Sequence, residues 1–99
     1  MSRLFVIEPE AEDEVFSSAD WYEQHNPEAR SAFLDAINRV LRLIQDHPEQ
    51  YQVVYRKLRM APVDGFPYAL FYRVTDEQII VVSCFHTSRN PKIWRDRLR

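Results

Sequence analysis

The apolar residues of this 99-residue chain change their spacing at Pro48, and that change constrains the fold more than any other feature. Upstream, Ala11, Val15, Ala19 and Tyr22 fall on one face of a helix running to about His25. Phe33, Ile37, Val40, Leu41 and Ile44 fall on one face of a second helix. Downstream the period becomes two: Tyr68, Leu70, Tyr72 and Val74 alternate with Ala69, Phe71 and Arg73. Ile79 to Phe85 is nearly continuous apolar and β-branched sequence, the pattern of a central strand covered on both faces. Helical stripes and strand faces must bury against each other, so the chain is predicted to be α+β.

Proline and polar turns place the boundaries. Residues 3–7 read as a short strand ending at Glu8-Pro9, and proline is tolerated in the first helical turn, where its missing N–H is not needed. The carboxylates of Glu8, Glu10, Glu12, Asp13 and Glu14 then sit at the positive end of the first helix dipole. Asn26-Pro27 supplies an N-cap and first turn for the second helix, which His47-Pro48 ends. So short a connection predicts an antiparallel helical hairpin. Residues 54–61 read as one strand with a basic face of Arg56, Lys57 and Arg59. Asp64-Gly65 and Thr75–Gln78 are turns, which makes strands 54–61, 68–74 and 79–85 a three-stranded antiparallel meander. With the N-terminal strand it completes one twisted sheet, and Lys92 to Arg99 forms a short basic C-terminal segment. Residues 1–99 make a single domain, because the chain cannot divide into two self-sufficient cores.

Net charge is −2, but the charge is unevenly distributed. Residues 1–50 carry four basic and eleven acidic side chains, net −7, and residues 51–99 carry nine basic and four acidic, net +5. This asymmetry predicts one face suited to an anionic partner. Cys84 is the one cysteine, which excludes an intramolecular disulfide and a cysteine-based zinc site. His25, His47 and His86 lie on different elements without a second ligand at i+3 or i+4, so no metal and no other cofactor is expected. No apolar run approaches a membrane span and the first residues do not read as a signal peptide, so a cytoplasmic location with no membrane partner is expected.

Several stretches, taken in order, resemble the RelE/ParE superfamily, the toxins of bacterial type II toxin–antitoxin modules, including plasmid stabilisation proteins. They are the leading strand with Pro9-Glu10-Ala11-Glu12-Asp13-Glu14, Trp21-Tyr22-Glu23 before Asn26-Pro27, and Phe33 through Ile44 ending at His47-Pro48. The basic stretch Arg56 to Met60 follows, then Phe66-Pro67-Tyr68, Phe71-Tyr72-Arg73-Val74, and His86-Thr87-Ser88-Arg89-Asn90-Pro91 with Trp94 and Arg97. The resemblance covers nearly the whole chain and implies a toxin domain over residues 1–99. It further implies a cognate antitoxin, a toxin–antitoxin hetero-oligomer, and growth arrest when the toxin is free.

The superfamily has two mechanisms: ParE-like members poison DNA gyrase, and RelE-like members cut mRNA on the ribosome. Cutting RNA through its 2′-OH needs an acid and a base and cations around the phosphate. His86 is the candidate acid or base and Arg89 the candidate phosphate clamp. Arg56, Lys57, Arg59, Arg73 and Arg97 are candidate partner-binding cations, and Tyr72 or Trp94 a base-stacking surface. Lys57 is the only lysine of the middle strands, and the C-terminal tyrosine of the nucleases is missing. The resemblance therefore leans toward a ParE-like gyrase inhibitor. A RelE-like endoribonuclease is the alternative, and a non-toxic RNA- or protein-binding module a third reading. The expectation common to the first two is that the C-terminal cations converge on a single hollow of the sheet.

Overall fold

In a computed structural model that describes residues 3–97, Asn26 and Pro27 set the geometry of the helical layer. The Asn26 side-chain oxygen accepts from the Glu28 N–H at 3.0 Å and caps a helix that Pro27 opens. The Asn26 N–H donates to the Tyr22 carbonyl, so one residue closes α1 (Pro9–His25) and begins α2 (Pro27–Asp46). Arg30 of α2 pairs across the turn with Asp20 and Glu23 of α1. This is the expected hairpin, and it lies on one face of the sheet with α1 packed on β5.

The sheet has five strands, β1 (Leu4–Ile7), β2 (Val53–Tyr55), β3 (Leu58–Pro62), β4 (Tyr68–Val74) and β5 (Gln78–His86), in the order β1-β5-β4-β3-β2. β2 to β5 are antiparallel neighbours, and β1 joins β5 in parallel. A short helix, α3 (Pro91–Arg97), follows β5. The segment 54–61 is not one strand. A two-residue turn at Arg56-Lys57 breaks it into β2 and β3, with Tyr55 opposite Leu58. Its residues lack the Asn-Gly or Asp-Gly signature that marks such turns, which is why the sequence reads as continuous.

Two apolar clusters occupy the two faces. Phe33, Ile37, Val40 and Ile44 of α2 bury against Leu70, Tyr72, Ile79, Val81 and Cys84. On the opposite face Leu58, Phe71, Val82 and Phe85 form a second cluster bordered by Tyr55, Met60 and Ile80. Burying each large side chain contributes about 1.5–3 kcal/mol, so β4 and β5, apolar on both sides, are the centre of stability. A bulge at Val82 shifts the β5 register, with Phe71 opposite Ser83 and Tyr72 opposite Val81. Next to it the Glu14 carboxylate of α1 accepts from Ser83 Oγ and from the Cys84 N–H, both at 3.1 Å. This satisfies Ser83, the buried polar residue of the core, and ties the first helix to the central strand.

Candidate functional site: a mixed-charge cleft and a basic turn

Tyr68 pairs with His86 across β4 and β5, and the pair faces the helix layer where α1 presents Ser17 and Ser18. Ser17 and Ser18 were not singled out in the sequence; two successive serines, poor residues for a helix interior, are the one local signal there that sets this stretch of α1 apart. Two adjoining cavities of about 230 and about 510 Å³ share Ser17, Ser18, Tyr68, His86 and Arg89. The smaller extends to Asp13, Glu14 and Cys84, and the larger to Trp21, Tyr22 and Pro67. Beneath them Tyr22, Phe33, Phe66 and Tyr68 form an aromatic cluster with centroids 5.2–6.3 Å apart, tilted between Tyr22 and Phe33 and edge-to-face in the other pairs. Tyr22 thus clamps the hairpin, whereas Trp21 is 53% exposed and stacks on His25.

His86 is half-buried at the cleft, its ring edge-on to Tyr68 at 5.0 Å. The Ser88 N–H donates to Nδ1 at 3.2 Å and Ser88 Oγ lies 2.6 Å from the same atom. A backbone N–H can only donate, so Nδ1 accepts and the neutral ring carries its proton on Nε2. Arg89 lines the same cavities and makes no ion pair among the described residues. The carboxylates of Asp13 and Glu14 stand on the other wall, part of a helix with six acidic residues and no lysine or arginine. Two groups here hold protons tightly. Burial, reinforced by the Glu14 charge, pushes the Cys84 thiol up to about 12, which keeps it from acting as a thiolate nucleophile. Burial and the neighbouring Tyr68 raise the Tyr22 phenol.

The remaining candidate cations lie elsewhere. Arg56, Lys57 and Arg59 line a hollow of about 290 Å³ with Arg3, Glu49 and Asp76. Arg59 opposes Tyr72 and the Arg56-Lys57 turn lies beyond it, so these groups sit at the far end of β4 from Tyr68 and His86. The six residue steps from Tyr68 to Val74 separate the two ends by roughly 20 Å. The single basic hollow expected from the sequence does not form, because strand pairing places Arg56, Lys57 and Arg59 at one end of β4 and Arg89 at the other. Arg59 is a structural clamp: its guanidinium donates to the carbonyls of Glu49 at 3.2 Å and Tyr51 at 2.6 Å. Tyr72, read as a stacking surface, is fully buried, and its hydroxyl donates to the Pro48 carbonyl at 2.6 Å. That burial raises its pKa to about 12. Arg73 is half-buried on the face turned away from the helices. The side chains of Trp94 and Arg97, on α3, lie outside the described residues.

Among the described residues no group of three His, Cys, Asp or Glu could hold a metal ion, and no helix is long and apolar enough to cross a membrane.

A helical hairpin on an open five-stranded sheet, with a mixed-charge cleft at one end and a basic turn at the other, defines a small α+β protein. The ParE toxin family of type II toxin–antitoxin systems matches residues 5–91, and the chain belongs to it. A solved structure titled as the chromosomal ParDE toxin–antitoxin system from P. aeruginosa superposes with a TM-score of 0.76 at 16% identity. The match covers 87% of this chain and 97% of that one, so the two share a fold. No curated protein matches the chain in sequence.

Proposed function

We propose that this chain arrests growth as a protein-binding toxin directed at DNA gyrase, and that a cognate antitoxin holds it inactive in a cytoplasmic hetero-oligomer. The family supports the toxin and antitoxin parts of this reading. The observation that carries a protein partner over an RNA substrate is the composition of the His86 cleft. A scissile phosphate drawn to Arg89 meets Asp13 and Glu14 on the opposite wall, and Coulomb repulsion disfavours it there. The cations at the Arg56 end, roughly 20 Å away, cannot reach the same phosphate. A peptide segment carries both signs and apolar groups, so it suits a cleft with Arg89 at one side, carboxylates at another and Trp21 and Pro67 alongside. Arg56, Lys57 and Arg73, with Trp94 and Arg97 of α3, are assigned to partner contact.

The second reading is a ribosome-dependent endoribonuclease with His86 and Arg89 as its catalytic pair. It draws support from the imidazole, which lines an open cavity beside an unpaired guanidinium. Expression of the chain alone, followed by parallel assays of supercoiling and message integrity, separates the readings. The gyrase reading expects growth arrest, trapped gyrase–DNA complexes and intact mRNA. Cut ribosome-bound message, abolished by His86→Ala and Arg89→Ala in folded protein, gives the nuclease reading instead. Unimpaired growth at high expression removes both.

A further inference from the structure

We infer that the turn between β2 and β3 docks on an acidic surface of the protein this toxin arrests, with Arg56 as the contacting residue; the inference rests on the toxin reading above. Arg56 has φ +54°, and among the described residues it alone, apart from Gly65, has a positive φ. In a two-residue hairpin whose first central residue has positive φ, glycine is the usual occupant, and asparagine tolerates the left-handed region best among the others. A β-carbon here is strained, and such strain persists at positions retained for function.

Among the described residues no ion pair accounts for an arginine at this position. Arg56 makes no ion pair among the described residues, and neither does Lys57 beside it. The intramolecular contact of the guanidinium is with the Tyr55 ring, 5.3 Å from its centroid. Arg95 of α3 also reaches that ring, at 5.6 Å, so the tyrosine keeps a cation partner without Arg56. The result is two exposed positive charges, in no ion pair among the described residues, side by side at a turn on the rim of the hollow.

The shape and charge of the surroundings select the partner. The turn presents its two cations side by side at the rim of one small hollow, whereas the adjoining cavities lined by His86 offer a peptide segment a longer seat. A nucleic-acid strand tracks a continuous run of cations past successive phosphates. Here Glu49 and Asp76 interrupt the basic residues at the foot of the turn. A compact acidic patch on a folded protein matches two adjacent cations and avoids those carboxylates.

The test compares Arg56→Gly, Arg56→Asn and Arg56→Lys in growth arrest by the chain expressed alone and in melting of the purified proteins. Arg56→Gly and Arg56→Asn are expected to melt at or above the wild-type temperature while colony survival rises by roughly tenfold or more. Arg56→Lys, which keeps the charge, is expected to retain arrest. Undiminished toxicity of the glycine and asparagine variants overturns the inference, and so does a lower melting temperature, which would make Arg56 a structural residue. Gel shifts with mixed-sequence duplex DNA and single-stranded RNA form a further arm. Nucleic-acid affinity that Arg56→Gly abolishes would assign the tip to a phosphate backbone and overturn the protein partner. Unchanged arrest with lost neutralisation by the co-expressed cognate antitoxin would assign it to the antitoxin and overturn the target contact. A wild-type chain that arrests nothing refutes the toxin reading itself.

Discussion

The two ends of β4 are built on opposite plans. At the Tyr68 end the sheet meets the helix hairpin over four aromatic rings, and polar groups of both signs ring a concave cleft. At the Val74 end the backbone is held by polar clamps. Tyr72 fixes Pro48, Arg59 fixes Glu49 and Tyr51, and Arg3 donates to the Thr75 carbonyl at 2.8 Å while lying 3.6 Å from the Glu49 carboxylate. The first end stands on non-directional apolar burial, and around its cleft Glu14 is bonded to Ser83 and Cys84 and His86 to Ser88, while Arg89 makes no ion pair among the described residues. The second ties Arg3 and Arg59 to its own loop, keeps Arg73 half-buried on the other face, and leaves Arg56 and Lys57 exposed at the turn. Charge counted along the sequence therefore overstates how much of it is available to a ligand.

The largest expected effect tests the aromatic floor. Phe33→Ala opens a cavity beneath the cleft and should cost about 3–5 kcal/mol in denaturant unfolding, with the cleft losing its shape. A loss below about 1 kcal/mol would show that the two ends do not differ in this way. High pH probes both ends together. Tyr72 and Cys84 have folded pKa values near 12, above their ordinary values of 10.0 and 9.0. Their contributions are complete below pH 9 and are lost as pH rises toward 12, because the unfolded chain releases those protons first. Stability should fall by about 3 kcal/mol or more across that interval, and Cys84→Ala should delay the first part of the fall. Chemical denaturation at a series of pH values reads this directly.

A smaller effect isolates the polar clamps. Tyr72→Phe leaves the Pro48 carbonyl without its donor and should cost about 1–3 kcal/mol while leaving the aromatic cluster intact. Near-ultraviolet circular dichroism separates local loosening from global change. The smallest stability effect belongs to Arg89→Glu, which is exposed and unpaired and should change folding stability by less than about 0.5 kcal/mol. Its effect on function should be large, because a third carboxylate in the cleft repels an acidic residue of a bound segment. Unchanged toxicity together with unchanged antitoxin binding would show that the cleft is not used.

Much of this arrangement was legible in the chain. Asn26-Pro27 and His47-Pro48 bounded the second helix because capping and proline sterics act over two or three residues. The double-sided burial of Ile79 to Phe85 followed from its unbroken apolar run, and the pairing of His86 and Arg89 in one place followed from their closeness in sequence. Less accessible was the Arg56-Lys57 turn, whose residues carry no turn chemistry and whose positive φ is imposed by the pairing of Tyr55 with Leu58. Nor did alternation reveal that Tyr72 donates to Pro48, since partners 24 residues apart meet only when the sheet closes against the second helix.

Local physical chemistry, acting through period, caps and prolines, determined from the sequence alone that a helical hairpin would lie on a sheet built around an antiparallel meander and where most elements would end. Only the tertiary structure decided which cations are free and which are bound, and that the acidic first helix forms a wall of the His86 cleft. Both depend on strand register and on the placement of α1 against β5, and register is set by long-range burial that no short stretch of sequence contains.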